Sequence, residues 1–169
     1  NEDRKSLDIP IRWRKPRKIF VNSMSDLFHD GVSDDFILDV WDVMRRTPRH
    51  SYQILTKRPD RMRDLLQTSL PGVLPNVWLG TSVEDAAVVH RINELRDVPA
   101  AIRFISFEPL IGAVGALDLE GIDWAIVGGE SGPRARPIEE AWVDDIYDAC
   151  QLSQTAFFFK QWGKKDFNV

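Results

Sequence analysis

Charged residues of both signs recur where short apolar runs of this chain give way to polar ones: Lys57, Glu108, Glu130 and Lys160. Helix capping and turn formation explain such residues poorly, because a lysine opposes the dipole at a helix N-terminus. Two ammonium groups and two carboxylates converging on one rim would suit an anionic or zwitterionic ligand. The alternative is an ion-pair network in which the same four neutralise one another. Shorter polar residues accompany them: Asn22, Ser23 and Asp26, then Thr56 and Arg58, then Thr81 and Ser82. For Asp26 and Ser82, as for Ser33 and Asp85, capping alone accounts for the residue type.

The run from Gly128 to Pro137 is the most distinctive. Gly128, Gly129 and Gly132 allow backbone N–H groups to approach a ligand, beside Glu130 and Ser131. Arg134 or Arg136 could fork onto phosphate or carboxylate, and the helix that follows favours an anion at its start. No Gly-Lys-Ser/Thr follows, and the dinucleotide spacing is missing, so neither a Walker loop nor a dinucleotide fingerprint is present. A tight surface turn with solvated arginines is the competing reading. The basic stretch Arg12, Trp13, Arg14, Lys15, Arg17 and Lys18 could follow a nucleic-acid backbone with Trp13 stacking, or be a solvated lead-in. Asp26 with His29 could ligate a metal, against a cap beside a loop histidine. His50 and His90 lack metal-ligand spacing. No nucleophilic triad is evident, and Cys150 falls on an apolar helix face as an inert core residue.

Six apolar runs must position these residues: Ile19 to Val21, Tyr52 to Leu55, Val77 to Leu79, Ile102 to Ile105, Trp124 to Val127 and Phe157 to Phe159. β-Branched and aromatic residues dominate them, as in buried strands. Helical patterns separate most of them. One is capped by Ser33, with Ile37, Val40, Trp41 and Met44 as its stripe. One opens at Pro59 with Met62, Leu65 and Leu66. One follows Ser82 and Asp85 and carries Val88, Val89, Ile92 and Leu95. One begins over Pro137, Glu139 and Glu140 and turns Trp142, Val143, Ile146, Tyr147 and Cys150 inward. Ile111 to Gly121 reads as loop. The alternation predicts an α/β fold, a partial parallel (β/α) barrel (TIM-barrel-like) of about six strands, with an open doubly wound sheet equally compatible with the periodicity. Residues 1–18 form a basic lead-in and 19–169 a single barrel domain. In such folds the working residues sit at the C-terminal ends of the strands.

The 169 residues are 43% hydrophobic, which excludes a disordered tail. The net charge of −4 opposes general affinity for polyanions. One cysteine excludes an internal disulfide and a cysteine-built metal site. With no secretory signal and no membrane span in the sequence, the expectation is a cytoplasmic protein with no membrane partner.

The strings Ile19-Phe-Val-Asn-Ser-Met-Ser-Asp-Leu-Phe-His29, Leu55-Thr-Lys-Arg-Pro-Asp-Arg61, Asn76-Val-Trp-Leu-Gly-Thr-Ser-Val-Glu-Asp85, Phe104-Ile-Ser-Phe-Glu-Pro-Leu110, Trp124-Ala-Ile-Val-Gly-Gly-Glu-Ser-Gly132 and Phe157-Phe-Phe-Lys-Gln-Trp-Gly163 resemble a family of unknown function common in bacteriophages and prophages. The likeness spans nearly the whole chain. That family resembles a distant relative of the radical S-adenosylmethionine (radical SAM) enzymes, with spore photoproduct lyase among the nearer cousins. The resemblance implies a partial barrel with S-adenosylmethionine across the strand ends and an iron–sulfur cluster on an upstream cysteine-bearing segment that this chain lacks. The chain would then start at about the second barrel strand, and the fragment alone would hold no cofactor and be inactive. By strand order, Asn22, Ser23 and Asp26 would flank S-adenosylmethionine. Thr56, Lys57, Thr81, Ser82, Glu108, Gly128, Gly129 and Glu130 would line the mouth. Arg58, Ser131, Arg134, Arg136 and Lys160 would serve a substrate or anion. The expected substrate is a nucleic acid or nucleotide. The alternative function is a non-catalytic anion- or partner-binding module of phage origin. An incomplete barrel also exposes strand edges, so self-association of the fragment is expected as a further partner mode.

Overall fold

A computed structural model describes residues 2–21, 25–70 and 72–163. Asn22 and Ser23 fall outside the described residues. After a single helical turn, α1 (Ile9–Arg12), the chain alternates strand and helix: β1 (Lys18–Val21), α2 (Asp34–Arg46), β2 (Ser51–Thr56), α3 (Pro59–Thr68), β3 (Val77–Ser82), a 3₁₀ turn (Ala86–Val88), α4 (Arg91–Arg96), β4 (Ile102–Phe107), β5 (Trp124–Gly128), α5 (Glu140–Ser153) and β6 (Ala156–Gln161). The six strands form one parallel sheet in the order β1-β2-β3-β4-β5-β6. It is a curled half-barrel with the helices outside, as the alternation predicts. Among the described residues, no helix is long and apolar enough to cross a membrane.

Local chemistry explains the helices. Ser33 Oγ accepts a hydrogen bond from the Phe36 backbone N–H at 3.3 Å, Asp34 and Asp35 complement the dipole at the start of α2, and Arg45 and Arg46 do so at its end. Its stripe of Ile37, Val40, Trp41 and Met44 is buried. Pro59 occupies the first turn of α3, where its missing N–H costs nothing.

Three expectations need correction. The helix foreseen after Ser82 is broken into the 3₁₀ turn and α4. Asp85 caps the turn by accepting from Ala87 N at 2.9 Å, whereas Ser82 caps nothing and is the last residue of β3. α5 starts at Glu140 rather than at Pro137, and Tyr147 is 45% exposed, lying edge-on to Phe157 instead of turning inward. The strands outrun their apolar runs: Thr56, Thr81, Ser82, Ser106 and Lys160 are strand residues. Polar side chains at these positions extend the alternation that apolar periodicity alone cannot trace.

The register gives the sheet two faces. Tyr52, Ile54, Val77, Leu79, Ile105, Phe107, Ala125 and Val127 point to the helices and form the core with α2, α3, α4 and α5. The alternate residues line the concave side in layers. One layer runs Leu55, Gly80, Phe104, Trp124 and Ala156; the next runs Ser82, Ser106, Ile126 and Phe158. Gly80 makes room for the Phe104 ring, since a Cβ there would meet it at 2.6 Å.

The basic lead-in is bound to the turn before β2. Arg49 donates to the carbonyls of Trp13 and Ile11 at 2.9 Å and of Pro10 at 3.2 Å. Buried His50 accepts from Arg17 N at Nδ1 (3.1 Å), and its Nε2 lies 2.9 Å from the Pro10 carbonyl, which fixes Nε2 as the protonated nitrogen. The Arg17 guanidinium lies 4.4 Å from the Trp13 ring centre, so one face of that indole is already covered.

Candidate functional site

Parallel strands in one sheet bring all their C-terminal ends to one edge, and Lys57, Glu108, Glu130 and Lys160 all stand there. Their partners differ. Lys160 Nζ lies 2.9 Å from Glu108 Oε1, reaching across β5. The intervening residue is Gly128, where a Cβ would come within 3.3 Å of the Glu108 carboxyl. Lys57 pairs instead with Glu84, and Glu130 with Arg136.

Glu84 was not singled out from the sequence. It follows Ser82 by two residues, and that strand-like spacing was the available signal. Its side chain is 12% exposed and lies between two cations: Lys57 against Oε1, and Arg91 Nη1 at 3.1 Å from Oε2. Arg91 also donates to the Ser82 carbonyl at 3.0 Å, which ties α4 to the end of β3.

Asp26 is a hub. Oδ1 accepts from Phe28 N (2.9 Å) and Thr56 Oγ1 (2.7 Å); Oδ2 accepts from Lys57 N (3.1 Å) and Arg58 Nη1 (3.0 Å). The carboxylate therefore sits at the start of α3, where the helix dipole favours it. Arg61 secures the same loop through the carbonyls of Phe28, His29 and Val32 and the carboxylate of Asp34. Thr81 is fully buried, and its hydroxyl is committed to the Thr56 carbonyl at 2.9 Å. Phe20, Ser25, Asp26, Leu55, Thr56, Lys57, Arg58 and Ser82 enclose a cavity of about 290 Å³ at this end of the sheet.

The glycine-rich loop folds on itself. Glu130 accepts from Arg136 N and Nε at 2.9 Å and from Nη2 at 2.8 Å. These bonds hold its carboxyl well below the usual range, at about 2. Gln161 Nε2 donates to Ser131 Oγ at 2.6 Å, Ser131 and Arg134 being exposed. Gly129 is in backbone contact with Trp162 and Gly163: a Cβ on Gly129 would come within 2.2 Å of the Trp162 carbonyl oxygen.

His29 accepts from Gly31 N at Nδ1, and among the described residues no group of three or more His, Cys, Asp or Glu is placed to hold a metal ion. Cys150 is buried in the helix-side core, and burial pushes its thiol up to about 11. An iron–sulfur cluster needs several thiolates, so the residues of this chain do not fit one.

The family model described as "Protein of unknown function (DUF5131)" matches residues 1–168. No curated protein matches the chain, and no solved structure matches it.

Proposed function

We propose a function on the premise that the chain belongs to the DUF5131 family: it is the S-adenosylmethionine-binding half-barrel of a phage-type, radical-SAM-like protein that acts on a nucleotide or nucleic acid in the cytoplasm. The observation that supports this most is the pairing of opposite charges along the strand ends: Lys57 with Glu84, Lys160 with Glu108, Arg136 with Glu130. A zwitterion such as the methionine end of S-adenosylmethionine offers one charge of each sign. It exchanges with such pairs without leaving a charge uncompensated, whereas a polyanion would strand the carboxylates.

In this reading Asn22, Ser23 and Asp26 flank the ligand. Lys57, Ser82, Glu108, Gly128, Gly129 and Glu130 line the mouth, with Thr56 and Thr81 fixing the strand ends. Arg58, Ser131, Arg134, Arg136 and Lys160 face a substrate or anion. Bound S-adenosylmethionine would supply a sulfonium with labile carbon–sulfur bonds. Cluster chemistry would need thiolates from outside these residues.

Thermal unfolding with S-adenosylmethionine, S-adenosylhomocysteine and methionine tests the binding. Each is expected to raise Tm, and Lys57→Ala or Glu130→Ala to abolish the shift. The intact protein, reconstituted with iron and sulfide without oxygen, is expected to be brown and to cleave S-adenosylmethionine on reduction. A well-folded, colourless, ligand-indifferent protein overturns the proposal.

A second reading, a non-catalytic module of phage origin that captures an anion or a partner, is favoured by the exposure of Arg134 and Ser131 on the glycine-rich loop. It predicts stabilisation by phosphate or acidic peptides in place of S-adenosylmethionine. Self-association through the β1 edge would be a further property of either reading.

A further inference from the structure

Two serine side chains stand side by side on the concave side of the sheet. Ser82 of β3 and Ser106 of β4 are register partners, 4% and 5% exposed. Their carbonyls accept from Arg91 and from Val83 N, yet among the described residues neither hydroxyl has a hydrogen-bond partner. An apolar residue would fit the same strand position, and neither hydroxyl is sealed away without a partner: among the described residues the buried side-chain atoms in that state are Trp41 Nε1 and Glu84 Oε1. Beneath them lies an aromatic layer. Trp124 is within 5.9 Å of the Trp78 and Phe104 rings and 6.4 Å of Phe158, centre to centre. Phe158 is 49% exposed, and Phe20, beside Leu55 and Ser82 in the 290 Å³ cavity, is 45% exposed.

We propose that this concave floor is a substrate subsite for one uncharged planar nitrogen heterocycle, the base of a free nucleoside. The hydroxyls of Ser82 and Ser106 read its edge, and the aromatic layer carries its face. The inference rests on the S-adenosylmethionine-binding function proposed above and narrows its substrate from a nucleotide or nucleic acid to a nucleoside without phosphate. A serine hydroxyl both donates and accepts, which matches ring nitrogens and exocyclic groups alike. Aromatic side chains stack on any base. The cations at the mouth are already paired, Lys57 and Arg91 with Glu84 and Lys160 with Glu108, and the chain carries a net charge of −4, so a phosphate-bearing strand finds little uncompensated positive charge; a nucleoside needs none.

The test is titration of the protein with adenosine, guanosine, cytidine and uridine, with and without excess S-adenosylhomocysteine, read by tryptophan fluorescence and Tm. At least one nucleoside is expected to bind saturably, unaffected by S-adenosylhomocysteine. Ser82→Ala and Ser106→Ala are each expected to weaken it about tenfold, as is Phe158→Leu. The two alanine variants should leave Tm little changed, because no hydrogen bond among the described residues is lost. A purely structural hydroxyl would lower it.

Four outcomes overturn the inference: no nucleoside binding, adenosine alone binding and being displaced by S-adenosylhomocysteine, alanine variants that lower Tm, or a single-stranded oligonucleotide binding where nucleosides do not. The second would leave the S-adenosylmethionine reading standing. Nucleoside binding by a protein whose Tm S-adenosylhomocysteine alone does not shift would sink that reading and leave this one.

Discussion

Glu108, one residue past the end of β4, and Lys160 of β6 are separated by β5, and they meet because the residue between them, Gly128, has no side chain. Gly128→Ala places a methyl 3.3 Å from the Glu108 carboxyl and is expected to push it off the lysine. Lys160 is half exposed, so the pair contributes under about 1 kcal/mol to stability. The expected result is a Tm little changed, with S-adenosylmethionine affinity reduced in Gly128→Ala and Lys160→Met alike. A large loss of Tm in Lys160→Met would contradict it.

Gly129→Ala is expected to behave differently. Its Cβ would meet backbone, the Trp162 carbonyl at 2.2 Å, and backbone cannot rotate aside as a side chain can. The chain at Trp162 and Gly163 must leave its place over the β5 loop. A loss of about 1–3 kcal/mol in denaturant unfolding is expected, with altered Trp162 emission.

Replacing Asp26 removes an acceptor of four hydrogen bonds that joins the β1 loop to β2 and α3. Asp26→Ala is expected to cost about 2–3 kcal/mol, and hydrogen exchange should quicken at Phe28 and Lys57. Exchange unchanged at both amides would refute the hub.

The Glu130–Arg136 pair gives a pH dependence of definite sign. The Glu130 carboxyl is depressed from 4.5 to about 2. Its contribution is therefore fully present above about 4.5 and is lost as pH falls through 2. Carboxyl NMR titration is expected to show the low value, and Arg136→Ala to restore it towards 4.5. An unaltered midpoint in that variant would assign the depression elsewhere.

Cys150, with its thiol raised to about 11 and no exposed surface, is expected to resist alkylation at pH 8 in the native protein and to react fully in denaturant. Mass spectrometry reads both states.

The sheet was legible because its core strands are written in β-branched and aromatic runs bounded by turn residues, as Trp124 to Val127 illustrates. Their polar ends were not, since Thr81 and Ser82 look the same in a strand as in a cap; only the hydrogen bonds of a folded neighbour decide. The common edge for Lys57, Glu108, Glu130 and Lys160 followed from parallel strands. Their partners did not, because Glu84 reaches Lys57 through the bend after β3, and Lys160 reaches Glu108 over a glycine. Neither relation has a sequence period. That Ser82 and Ser106 lie side by side on the concave face is likewise invisible without the register.

Strand order in this sheet repeats chain order with no strand skipped, from Lys18 beside Ser51 to Trp124 beside Ala156. Each new segment emerging from a ribosome thus finds its partner already made and adjacent. Assembly can proceed vectorially, one α/β unit upon the last, with no need to hold a distant strand in waiting.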